Sequence, residues 1–181
     1  MKRTAFTVFT ILLVAAFFQA SCKSMSTEKL KNSIEVLDVE TKWVSKYYQP
    51  WPPRLILVPS ISFRIKNIGD QPLKYVNFNG VFSFKGETEN LGDGYLAAIR
   101  GTPIPPGMTS DIITLTSNFG VEGKNLKQIE ENPSWKTAEV RIFAQSRGSQ
   151  YALLGVFDIS RIIDFKEPES VEPQKTEPIK K

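Results

Sequence analysis

Three separate stretches of apolar–polar alternation constrain this chain more than any other feature of its sequence. In "ISFRIK", Ile61, Phe63 and Ile65 alternate with Ser62, Arg64 and Lys66. In "VNFNGVFSF", Val76, Phe78, Phe82 and Phe84 fall on one parity, while Asn77, Asn79 and Ser83 fall on the other. Farther on, Ala138, Val140, Ile142 and Ala144 alternate with Glu139, Arg141 and Gln145. A period of two separates the two faces of a β-strand, whereas a helical period would spread each apolar set around a circumference.

The intervening segments continue the pattern less regularly. Strands are expected over 34–46, 54–58, 95–100 and 111–117, the first with a phase shift between Val36 and Leu37 that marks a bulge. The turn-formers of "NIGDQP" are expected to join the first two alternating runs into a hairpin. "SRGSQ" turns into "YALLGVFDI", which is apolar on both parities and reads as a central strand covered on both faces. "TPIPPGMTSD", with three prolines and a glycine, reads as a loop. The helical stretch is "KNLKQIEEN", with Leu126 and Ile129 three apart and Pro133 after it. Its charged residues, Lys124, Lys127, Glu130 and Glu131, read as a solvated face. Seven to eight strands and one short helix predict an all-β fold, a single antiparallel Ig-like β-sandwich over 34–165. The antibody-type cysteine pair is absent, which excludes a true immunoglobulin domain.

The run "ISFRIKNIGDQPLKYVNFNGVFSF", followed after an interval by "IPPGMTSDIITL", resembles the FxLYD and LEA-type sandwich domains. In those families a strand ending in Asn precedes a polar turn and a second strand, and a Pro-Gly loop leads into the next. The resemblance covers residues 60–117, lacks the F-x-L-Y-D signature itself and transfers no site residues. It implies a sandwich fold and an interaction or accessory role.

The amino terminus sets the expected compartment. Lys2 and Arg3 precede an apolar run from Ala5 to Phe18, too short for the ~20 residues that cross a bilayer. Small residues Ala20 and Ser21 then precede Cys22, the only cysteine. This is the layout of a secretory signal peptide, and "QASC" resembles a bacterial lipobox, although Gln19 stands where that motif usually has an aliphatic residue. The expectation is a signal over 1–21, diacylglyceryl modification of Cys22, and a polar tether over 22–33. The protein is then exported and membrane-anchored in the bacterial cell envelope, the outer membrane being the expected site, with two or more acyl chains making the anchor stable. At the other end, Glu-Pro recurs at 167–168, 172–173 and 177–178, and residues 166–181 read as an extended or disordered tail.

Composition then narrows the chemistry. Without the signal, 21 basic side chains face 19 acidic ones, a surplus too small to suggest nucleic-acid binding. Histidine is absent. That removes Ser-His-Asp and Cys-His catalysis, an imidazole proton shuttle and His/Cys zinc sites. No phosphate-binding glycine loop is present either, and no cofactor is expected. The expected role is non-catalytic. Alternatives are a small-ligand or glycan-binding lipoprotein serving a transporter, and a hydrolase built on carboxylates.

Among candidate contact residues, "YYQPWPP" concentrates Tyr47, Tyr48 and Trp51 among three prolines. Proline limits the entropy lost on ordering a contact loop, and Tyr and Trp are favoured interface anchors. The segment reads either as a recognition loop for an envelope protein or glycan, or as a stiffened crossover whose rings cover the end of the core. Trp43 and Trp135 read as core or core-edge residues. Glu87, Glu89 and Asp93 read as a solvated hairpin loop, since their spacing matches no calcium-binding run.

Overall fold

The inward parity of each alternating run forms the core between two β-sheets. A computed structural model describes residues 25–168. The elements are α1 (Thr27–Asn32), β1 (Ile34–Gln49), β2 (Arg54–Asn67), β3 (Val76–Phe84), β4 (Asn90–Ile99), β5 (Ile113–Thr116), β6 (Val121–Gly123), α2 (Leu126–Glu130), β7 (Ala138–Ser146), β8 (Ala152–Ile159) and β9 (Ile163–Asp164). One sheet runs β5–β2–β1–β9, with β6 also on β2; the other runs β4–β3–β7–β8. Ile61, Phe63 and Ile65 face Val76, Phe78, Phe82, Val140 and Ile142 in one buried cluster. The Phe63 and Phe78 rings meet edge-on across the sheets at 5.6 Å. Each large apolar side chain buried there contributes on the order of 1.5–3 kcal/mol. Trp43 and Trp135 are buried as expected and form a second edge-on pair at 5.5 Å.

The sandwich matches the fold class predicted by alternation, with differences of detail. Nine strands and two helices are present among the described residues. The pairing is antiparallel except between β1 and β9, which run parallel at Trp43–Ile163 and Val44–Asp164. The crossing chain is held by Thr41, whose Oγ1 accepts from Ser160 N at 2.9 Å, while Trp43 N donates to Ile162 O at 2.8 Å. The bulge expected near Val36–Leu37 appears as a register shift between Leu37 and Glu40, with Asp38 at φ 51°. A second shift lies between Ser45 and Tyr47.

Four local expectations are corrected. Residues 54–58 and 60–66 belong to one strand, β2, with Pro59 inside it. Pro59 has no N–H to donate, and it falls between the stretch paired to β6 (Leu55–Leu57) and the stretch paired to β5 (Ser60–Phe63). "NIGDQP" does not close a hairpin, because β2 and β3 lie in different sheets; β2 already has β1 on one edge and β5 and β6 on the other. "YALLGVFDI" supplies an edge strand, β8, that leaves Leu153 and Val156 exposed; the stretch covered on both faces is 57–61 in β2. Finally, part of the polar tether is a helix. Ser26 caps α1 by accepting from Lys29 N, and Leu30, fully buried, docks it on the core. A single apolar residue in six carries no helical period, so the sequence held no pattern to read there.

The arch from β2 to the second sheet is built on Asn67, which is completely buried. Its Nδ2 donates to Gln71 O at 2.9 Å and Ile104 O at 2.8 Å, and its Oδ1 accepts from Gly69 N at 3.0 Å. Its backbone N–H donates to Met108 O at 2.9 Å, and its carbonyl accepts from Gly107 N at 2.7 Å. Gly69 passes so close to Ser33 that an added Cβ would lie 2.4 Å from its Oγ. Asn67→Ala should therefore cost about 2–4 kcal/mol in chemical denaturation, because buried carbonyls lose their donors. Asn67→Asp places a carboxylate beside those carbonyls and raises its folded pKa. Its penalty should be largest well above the unfolded carboxyl value of about 4 and should shrink as pH falls towards it, measured against wild type.

Candidate functional site

The β1–β2 hairpin ends in a four-residue turn whose three prolines offer no N–H donors, so side chains complete its bonding. Gln49 and Arg54 form the last strand pair. Gln49 Nε2 donates to Trp51 O at 2.9 Å, and Tyr47 Oη donates to Gln49 Oε1. The Arg54 guanidinium lies over the Tyr47 ring, 5.6 Å from its centroid. The same guanidinium holds Glu122 of β6 in a two-point ion pair, Nε–Oε1 2.8 Å and Nη2–Oε2 3.0 Å. Trp51 stands at the apex, 85% exposed, and the Trp51–Pro52 peptide is cis.

The three aromatics singled out in the sequence are thereby divided. The register shift between Ser45 and Tyr47 resets the parity that places Trp43 inward. Tyr48 consequently turns to the core side and packs on Phe165 at 5.3 Å. Tyr47 turns outward and is exposed. Tyr48 covers the end of the core, as the crossover reading has it, while Tyr47 and Trp51 are exposed to solvent. Four contributors escaped sequence reasoning, namely Lys46, Gln49, Arg54 and Phe119. Phe119, in the loop before β6, is 65% exposed; Lys46 reaches over its ring at 5.7 Å and donates to Asn118 O. Only the strand order β1–β2–β6 brings Lys46 and Phe119 together, and no local spacing encodes it.

Electrostatically the tip is cationic with one fixed counter-charge. The hydrogen bond and charge of Arg54 lower the pKa of Glu122, and Glu122 raises that of Arg54 in return. Asp70 is likewise lowered, first by its hydrogen bond with Lys29. Lowered carboxyl pKa values are the reverse of what a general acid needs. Glu87 is paired with Lys136 at 2.6 Å, whereas Asp93 binds the Asn118 amide. Among the described residues no group of three or more Asp, Glu, His or Cys side chains could hold a metal ion. Cys22, the signal expected over 1–21 and the tail beyond residue 168 lie outside the described residues. Glu167, in the first Glu-Pro pair, accepts from Leu126 N at the start of α2.

No family model matches the chain, and no curated protein is significantly similar to it. Among solved structures, it is similar to the putative ApaA protein from Bordetella pertussis, at 14% identity over 71% of this chain and 93% of that one, with a TM-score of 0.40. It is also similar to a protein from Archaeoglobus fulgidus, at 11% identity over 68% and 92%, TM-score 0.34. The ligand binding region of serine-glutamate repeat protein A of Enterococcus faecium matches at 12% identity over 71% and 99%, TM-score 0.30. Likenesses of this size assign neither family nor function.

The ion pair at the tip has a direct test. Glu122 should titrate below the ordinary glutamate value of about 4.3 in a carboxyl-detected NMR titration, and Arg54→Ala should return it to that value. A depressed folded pKa stabilises above the unfolded value and is lost as pH falls through the folded one. Acidification should therefore loosen the β2–β6 contact in wild type, with little such effect in Arg54→Ala.

Proposed function

We propose that this protein is a non-catalytic interaction module of the bacterial cell envelope, held at a membrane by a lipid on Cys22 and engaging an envelope protein through the β1–β2 hairpin tip. The observation that carries the reading is Trp51. A large indole is held out in water on a loop closed by Gln49 and flanked by the Tyr47–Arg54–Glu122 chain. Trp, Tyr and Arg on a pre-ordered frame are the side chains that dominate protein interfaces, and pre-ordering reduces the entropy lost on docking. Confinement to a membrane raises the effective concentration of such a module towards a partner in the same envelope. The absence of histidine and the layout of residues 1–22 support the non-catalytic and exported parts of the reading.

Photo-crosslinking from position 119, beside the tip, in intact cells should trap one predominant protein. Trp51→Ala should weaken its capture at least about tenfold while shifting thermal stability little, because the side chain makes few folded-state contacts. Tyr48→Ala is the contrasting variant and should cost about 2 kcal/mol of stability through its lost packing on Phe165. A large loss of stability in Trp51→Ala, with capture unchanged, would sink the assignment of the tip. For the anchor, Cys22→Ser should abolish incorporation of labelled palmitate and release the protein from membranes; unchanged incorporation refutes lipidation at Cys22.

A further inference from the structure

The opposite end of the sandwich, where β2 finishes, carries an open groove of about 470 Å3 on the second sheet. Tyr75, Asn77, Tyr95, Arg100, Gln145 and Arg147 are among its lining residues. We propose that this groove binds a carboxylated glycan chain laid across the sheet.

The chemistry of the lining selects the ligand. Tyr75 and Tyr95 are 53% and 57% exposed and both line the groove, and aromatic rings are the side chains on which the C–H faces of sugars stack. Asn77 and Gln145 are cross-strand partners on β3 and β7. Among the described residues Asn77 makes no side-chain hydrogen bond, and Gln145 uses only Nε2, which donates to Ser149 O at 3.0 Å. Amide donors and acceptors therefore remain for hydroxyl groups. No Asp or Glu lines the groove, and among the described residues neither Arg100 nor Arg147 has an ion-pair partner. An unpaired guanidinium can donate two parallel hydrogen bonds to a carboxylate.

Backbone geometry adds an independent argument. Tyr75 has φ 52°, in the left-handed region that a bulky aromatic enters at a cost on the order of 1–3 kcal/mol. Gly or Asn would hold this bend with less strain. About half of the Tyr75 surface stays exposed at this fixed bend, so the ring remains available to a ligand. The open shape excludes a small molecule needing 70–90% enclosure but admits a polymer crossing the surface. An acidic peptide would satisfy the arginines but lacks the repeated C–H faces that the tyrosines address.

The test uses the full chain carrying Cys22→Ser, so that no acyl group contributes, with calorimetry against oligogalacturonate, neutral dextran oligomers, polyglutamate and phosphatidylglycerol vesicles. Oligogalacturonate should bind and dextran should not. Tyr95→Ala and the double variant Arg100→Gln/Arg147→Gln should each weaken that binding at least about tenfold with unchanged thermal midpoints. Trp51→Ala should leave it intact, which separates this site from the hairpin tip. The proposal is overturned by absence of oligogalacturonate binding, by equal binding of dextran, or by binding that survives Tyr95→Ala. It is equally overturned if polyglutamate or the vesicles bind with the same dependence on both tyrosine and arginines.

Discussion

The buried amide of Asn67 is the joint on which the two sheets are hung. Three segments meet there: the end of β2, the turn through Gln71, and the loop that carries Ile104 to Met108. Buried carbonyls and N–H groups need partners, and a loop passing between sheets has no strand ladder to supply them. One side chain with two donors and an acceptor ties the turn and the loop to the end of β2. Leu73 and Ile104 then exchange a pair of backbone hydrogen bonds beside it, and the chain enters β3 on the far sheet. Without such a node, the chain leaving β2 for the far sheet would carry buried carbonyl and N–H groups with no partners.

The far side of the sandwich is closed by a smaller device of the same kind. Asn118 donates to the Asp93 carboxylate and accepts from Asp93 N, both at 2.9 Å, while its own N–H donates to Asp93 O. Gly94 beside it lets β4 approach the β5 backbone, where a Cβ would meet Thr116 O at 2.5 Å. Asparagines thus join the layers where strand pairing cannot.

Alternation was legible because it is local: which parity of residues 61–65, 76–84 and 138–144 faces inward depends only on neighbours two apart. Strand partnership was not. The turn "NIGDQP" looks like a hairpin until the edges of β2 are seen to be filled. Both parities of 151–159 are apolar, yet exposure of Leu153 and Val156 follows from the edge position of β8. At the tip, composition picked out Tyr47, Tyr48 and Trp51 together, but a one-residue bulge decided which tyrosine faces water. Arg54 and Phe119 join the surface only through tertiary placement.

The register of β1 against β2 also gives the molecule a direction. Ile34 pairs with Asn67 at one end and Gln49 with Arg54 at the other, about 40 Å away along the strands. Helix α1 leads straight into β1 at the Asn67 end, tied there by Lys29 to Asp70. The proposed anchor at Cys22 would hold that end near the bilayer, and the groove lined by Tyr75 and Tyr95 with it. Trp51 would then stand as a mast-head, facing outward at a height governed by the number of strand residues beneath it. On such a mast the groove would lie nearest the anchor and the tip farthest from it.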